Sequence, residues 1–213
     1  MNRNIAQDLS KRERDAFVSV MDSGLSDILL ASFTTFFAVA PLLSDLLGDF
    51  WSSAVFIPFW IAVFLVVSAI RKNVVIPRVG QVRWSAPRQK KLKTTSWAML
   101  AVNVVVFVIG LVALLNYRPN GSSQWVYPTA LSLTMLVLLS IGAYALSLPR
   151  FYFYAILLAI CPAVGEYLFQ EGLASHHGFP IVFGIASVVI ASIGLLKLAK
   201  VVKLDPPVIG STD

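Results

Sequence analysis

Six stretches of mostly apolar residues recur along the chain, separated by short polar joints. They run from about Asp27 to Leu47, Trp51 to Ile70, Trp97 to Leu115, Val126 to Leu148, Phe151 to Phe169 and Phe179 to Leu198. A helix rises about 1.5 Å per residue, so roughly 20 apolar residues cross a hydrocarbon core about 30 Å thick. Each stretch is therefore predicted to be a transmembrane helix. The fold class is all-α: a polytopic integral membrane protein with six transmembrane helices in a bundle. Trp51, Trp97, Trp125 and Tyr127 stand at stretch ends, where amphipathic rings favour the membrane–water interface.

Two joints decide the number of spans. Gly48-Asp49-Phe50 separates the first pair, and Pro149-Arg150 separates the fourth and fifth. A fused helix from Gly142 to Phe169 alone would reach about 42 Å, longer than the core.

The polar remainder divides the chain. Residues 1–26 form a cytoplasmic or interfacial segment, 27–203 the membrane domain with a basic loop at 71–94, and 204–213 a tail. Ser10-Lys11-Arg12-Glu13 has a capping-box pattern, and Phe17, Val20 and Met21 follow at helical spacing, with Gly24 as a C-cap. The expectation is a short N-terminal amphipathic helix on the inner leaflet, or else a solvated lead-in to the first span. Charges spread over these residues do not form the basic, apolar and small-residue succession of a cleaved signal, so the first apolar stretch is expected to stay.

Composition agrees with this picture. The chain is 57% hydrophobic and 13% charged, with mean hydropathy +0.78. A soluble domain is about 25% charged, and a fold of this length has no interior large enough for so much apolar surface. The single Cys161 excludes an internal disulfide and a cysteine metal cluster.

Charge placement orients the helices. Of 17 Lys and Arg, 16 fall on one side of a six-span arrangement, and only Arg118 on the other. Cationic loops resist translocation, so the rich side is cytoplasmic, and with it both termini. Eight of these cations lie between the second and third stretches: Arg71, Lys72, Arg78, Arg83, Arg88, Lys90, Lys91 and Lys93. They read as a docking surface for a partner or anionic headgroups, or simply as the main topology determinant. Ile76 to Trp84 suggests two short extended stretches around a Val-Gly turn. Nucleic acid is not an expected partner, because the loop is too small for a known module and has one aromatic residue, Trp84.

Inside the apolar stretches the notable ionisable residue is Glu166, four residues after Pro162 and next to Tyr167. Proline frees a carbonyl and favours a kink, and an intramembrane carboxylate is a functional candidate. The plainer reading is a hydrogen-bonded Glu near the outer boundary, partnered by Tyr167 or a Ser/Thr of another helix. Asp45, Asp49, Glu171, His176 and His177 share that outer side. No metal is expected there, since adjacent histidines do not aim both rings at one point and no H-x-x-x-H spacing exists. Gly184, Ser187, Ala191 and Gly194 line one face of the sixth stretch, and Ala155, Ala159 and Ala163 recur in the fifth. Small faces let helices approach closely, here between these two neighbours or between two copies of the chain. No phosphate loop, dinucleotide motif or nucleophile elbow is present. Neither a cofactor nor enzymatic activity is expected.

At Asp22-Ser23-Gly24-Leu25-Ser26-Asp27-Ile28 and at Ile76-Pro77-Arg78-Val79-Gly80-Gln81-Val82-Arg83 the chain resembles a group of uncharacterised bacterial six-helix integral membrane proteins. That group has a D-G-L-x-D-I entry to the first helix, a P-R-[IV]-G-x-V basic loop, and an exit similar to Leu204-Asp205-Pro206-Pro207. Ser23 is an insertion relative to the entry motif. The group has no established activity, so the resemblance implies architecture and a bacterial inner-membrane setting. The leading expectation is a non-enzymatic accessory, scaffold or regulatory subunit that acts by association with a protein partner or a second copy. The alternative is a small-solute, ion or proton transporter using Glu166 near the Pro162 kink.

Overall fold

Helices account for nearly all of the described structure because no other element satisfies backbone polar groups within a single apolar segment. The computed structural model describes residues 22–79, 86–115 and 125–204. The N-terminal amphipathic segment and the tail from Asp205 lie outside them. Six long helices follow in order: α1 Leu25–Ala54, α2 Phe56–Ile70, α3 Ala86–Leu115, α4 Val126–Leu146, α5 Arg150–Gln170 and α6 Phe179–Val202. A π-helical segment, Arg71–Val75, and one α turn, Ile76–Val79, extend α2. A 3-10 turn, His176–Gly178, leads into α6. Five segments are long and apolar enough to cross a membrane: Leu25–Ala54, Phe56–Arg78, Val126–Leu146, Arg150–Gln170 and His176–Val202.

The joints follow from local chemistry. α1 breaks at Gly48, whose φ of 76° and ψ of 163° leave the helical region. Ten residues later Pro58 stands in the first turn of the next helix. It has no N–H for the Ala54 carbonyl, so the ladder cannot continue across Val55. The second helix consequently starts at Phe56 rather than at the expected Trp51. The Pro149-Arg150 joint separates two helices as expected. Ser147 takes a left-handed conformation (φ 55°) and Pro149 precedes the first residue of α5.

The basic region differs from its expected form. Ile76–Val79 is helical, not extended. Val75, 1% exposed, packs with Leu25, Val67 and Val201, and this docking carries helix past the end of α2 despite the β-branched sequence. Tertiary packing overrides a weak local propensity in this way. The run Arg88 to Lys93 lies in the first two turns of α3, not in a loop.

Neighbouring helices form a row, α2–α1–α6–α5–α4–α3, with the closest association along α1–α6 and α4–α5. The central core joins Ala31 and Ala38 of α1, Met135 and Ala143 of α4, Tyr154 and Leu158 of α5, and Phe183 and Ile190 of α6. The small face of α6 packs on α1, not on α5 as expected. Gly194 meets the Gly24 carbonyl and Asp27, and Gly184 faces Ala38. Ala191 lies against the central core. Ser187 and Thr35 hydroxyls are 2.7 Å apart, and each also reaches the Ala31 carbonyl, at 3.0 and 2.9 Å. In the single chain this face is covered by α1.

Gly24 is the tightest point of the seam. Its φ is 84°, and a Cβ there would stand 2.2 Å from the Gly194 carbonyl oxygen. Gly172 shares the left-handed backbone (φ 69°) but faces open space. A left-handed alanine costs about 1–2 kcal/mol from backbone alone. Gly24→Ala should lose that amount plus the displacement of α6, and Gly172→Ala only the backbone part. Denaturant titration of both variants in micelles checks this; equal losses would refute the close contact.

Candidate functional site

The buried ionisable groups, Asp27 and Glu166, lie at the two ends of the α1–α5–α6 trio. One end is built from the start of α1. Ser23 and Gly24 precede the first turn, and the Asp27 and Ile28 amides both donate to the Gly24 carbonyl at 3.1 Å. This turn brings Asp22 and Asp27 to the same side. Asp27 is completely buried. Its place in the first turn also suits the positive end of the helix dipole. Arg150 opens α5 directly after Pro149, and Lys197 stands near the end of α6.

These four charges interlock. Arg150 Nε donates to Asp27 Oδ1 at 2.9 Å, and Arg150 Nη1 pairs with Asp22. Lys197 Nζ reaches the same Asp22 oxygen at 2.6 Å. Arg150 Nη2 extends to the Ser26 hydroxyl at 3.4 Å. Two cations balance two anions, so helices α1, α5 and α6 are tied by a neutral quartet. Arg150 opposes the dipole of its own helix, and the two aspartates offset that. The hydroxyl of fully buried Tyr154 stands beside Asp27 and Arg150 and interacts with both.

The other end is built around Glu166, 3% exposed. Gln170, one turn later, donates to Oε1 at 3.0 Å, and His177 Nδ1 lies 2.8 Å from Oε2. Phe169 lies over the His177 ring with centroids 4.4 Å apart. His176 turns the opposite way and places Nε2 3.3 Å from Asp45 of α1. Both histidines have left-handed backbone, φ 49° and 53°. That geometry sends adjacent rings to different helices. Gly165 permits it, since a Cβ there would come within 2.6 Å of the His177 carbonyl.

The expected residues separate accordingly. Glu166 is buried and bonded, but by Gln170 and His177. Tyr167 is 55% exposed and is not among its partners. Pro162 is fully buried within α5, which continues past it. Among the basic residues, Arg71, Lys72, Lys90 and Lys93 are exposed. Arg78 folds back to donate to its own Val74 carbonyl at 3.0 Å. Arg88 and Lys91 belong to the first turns of α3, and Arg83 lies outside the described residues. Among the described residues no group of three or more His, Cys, Asp or Glu is placed to hold a metal ion. The quartet went unread in the sequence, where Arg150 and Lys197 served only as topology markers. Its one signal was an Asp at the start of an apolar stretch.

The fold and its ion-paired ends define an all-helical membrane protein. No protein-family model, curated protein or solved structure matches the chain.

The quartet makes an asymmetric prediction. Removing one member of a buried pair strands the other charge and costs about 3–5 kcal/mol. Arg150→Met strands Asp27 and should lose stability on that scale. Asp27→Asn leaves Arg150 with Asp22 and Ser26 and should lose less. Unfolding of both variants in micelles checks the order. A loss below about 1 kcal/mol for Arg150→Met, the range of an exposed pair, would mean that water reaches Asp27.

Proposed function

We propose that this chain is a six-span protein of a bacterial inner membrane, with both termini in the cytoplasm, that works without catalysis by associating with a partner. Its role is that of an accessory, scaffold or regulatory subunit. The sixth span is the apolar half of α3 from Trp97. Support for the topology is the partition of cations: a six-span path leaves Arg71, Lys72, Lys90, Lys93 and Lys203 on one side.

One observation carries the association reading. Helices α2 and α3 stand at opposite ends of the row, and each has its main packing against one neighbour. α2 buries only Phe56 and Val67 and leaves Ile57, Ile61, Phe64 and Leu65 outward. Both flanking helices carry the exposed cations at their cytoplasmic ends. Such a pair of flanks, basic at one end and apolar along its length, suits a membrane partner or a second copy with anionic headgroups between them. Transport through Glu166 finds less support. Both of its oxygens are occupied, and Leu158, Phe183 and Ile190 fill the space between the two polar ends.

Two measurements test this reading. Cysteines introduced at Lys72 and Lys203 should react with a membrane-impermeant maleimide only from the cytoplasmic side, and one at Leu173 only from outside. Native Cys161, 5% exposed, should stay silent. Labelling of Lys203→Cys from outside would remove the six-span topology. Crosslinking in native membranes should give one stoichiometric adduct. Replacing Arg71, Lys72, Lys90 and Lys93 with Gln should reduce that adduct severalfold. A chain that runs alone at 23.3 kDa after crosslinking would end the association reading.

A further inference from the structure

A groove of about 260 Å³ opens at the outer end of α1, between that helix and the short helical stretch after Gly48. Its floor is aromatic: Phe36, Phe37 and Phe179. Its rim carries Ser44, Asp49 and Ser52. No Lys or Arg lines it. The floor is held in shape from beneath. Phe183, fully buried, stacks on Phe37 with centroids 5.1 Å apart and meets Phe179 edge-on at 5.3 Å.

The rim is acidic and rich in acceptors, with the Ser53 hydroxyl beside them. Ser44 gives its hydroxyl proton to the Pro41 carbonyl at 2.6 Å, and Ser52 gives its own to the Asp49 carbonyl at 2.9 Å. Their lone pairs remain. Pro41, also in the wall, withdraws the backbone donor that the Phe37 carbonyl would meet in a regular helix. Asp49 adds a carboxylate with no ion-pair partner among the described residues. Its neighbour Asp45, by contrast, is engaged by His176.

We propose that this groove binds an amphiphilic amine, with its ammonium group at Asp49 and its apolar or aromatic body on the Phe36–Phe37–Phe179 floor. An ammonium has three donors and a positive charge, so it complements a rim led by the Asp49 carboxylate and the serine oxygens. Aromatic faces attract a cation as well as an apolar body. An anion meets repulsion from Asp49 and no Lys or Arg to offset it. A neutral alcohol of the same shape gains the floor but not the charge. The volume suits a ligand of about ten heavy atoms, below the size range of drug-sized sites. The proposal does not depend on the association reading, since a chain without a partner would still carry the groove.

The test uses the full chain in nanodiscs of zwitterionic lipid and titrates phenethylammonium, 2-phenylethanol and 3-phenylpropionate by calorimetry. Saturable binding is expected for the ammonium alone. Asp49→Asn should weaken it about tenfold or more, equivalent to roughly 1.4 kcal/mol, and Phe37→Ala should weaken it as well. Asp45→Asn, outside the groove, should leave the affinity unchanged. Asp49 is exposed, so its variant should keep the wild-type unfolding midpoint, which separates lost binding from lost fold. Equal affinity for the alcohol and the ammonium would overturn the proposal and make the groove a slot for lipid chains. So would full affinity in Asp49→Asn, or the absence of saturable ammonium binding.

Discussion

Helices α1 and α6 touch backbone to backbone at Gly24 and Gly194, and the placement of the buried charges depends on that contact. Neither position has room for a Cβ without displacing the other helix. The seam then runs antiparallel through Ser187 against Ala31 and Thr35, and on to Gly184 against Ala38. Interhelical hydrogen bonds of this kind contribute about 0.6 kcal/mol each in membranes, so close packing rather than polar bonding holds the seam. Its consequence is electrostatic. With α6 this near, Lys197 reaches Asp22, and Asp27 is shut away from water on the side where Arg150 arrives from α5.

Burying the Arg150–Asp27 pair is costly, while Asp22 and Lys197 stay partly exposed, and replacing a buried pair with apolar side chains often stabilises a protein. The quartet therefore acts mainly as a register device. A shift of α5 by one residue along α1 would separate Arg150 from both aspartates and leave Asp27 uncompensated. At the opposite end, His176 and His177 do the equivalent job with weaker partners, one reaching α1 and the other α5. The trio is thus fixed by ionisable groups at both ends, while its middle is held by apolar packing and the Ser187–Thr35–Ala31 hydrogen bonds. This division of labour explains why ionisable residues occur at the ends of these helices and not at their centres.

Much of this architecture was legible in the sequence because its cause is local. Apolar runs of membrane length, Pro149 and the Gly48 joint act over a few residues, and they marked the helices and the breaks between them. What stayed hidden depends on distance along the chain. Arg150 and Asp27 are 123 residues apart, and Lys197 and Asp22 are 175 apart. No periodicity connects such pairs. Likewise the small face of α6 was plain from its spacing, but its partner was not, because adjacency in sequence favoured α5. Glu166 was recognised as buried, yet its bond to His177 required a left-handed turn that residue types alone do not announce. The helical form of Ile76–Val79 was missed for a related reason. Val75 docks between the ends of α1 and α6, and that contact outweighs the local preference for extended chain.

The break at Gly48 links the architecture to the outer groove. A continuous 30-residue helix would be about 45 Å long, well beyond the hydrocarbon core, and its last turns would stand in water carrying Leu46, Leu47, Phe50 and Trp51. The break at Gly48 turns the chain out of that axis. The same turn sets Asp49 and Ser52 across from Ser44 and Phe37, which on an unbroken helix would point along a single rod. A turn that solves a length problem thereby creates a concave surface with an acid on its rim. The rim at Asp49 and Ser52 thus follows from the helix interruption at Gly48, while the floor is supplied by Phe36 and Phe37 of α1 and Phe179 of α6.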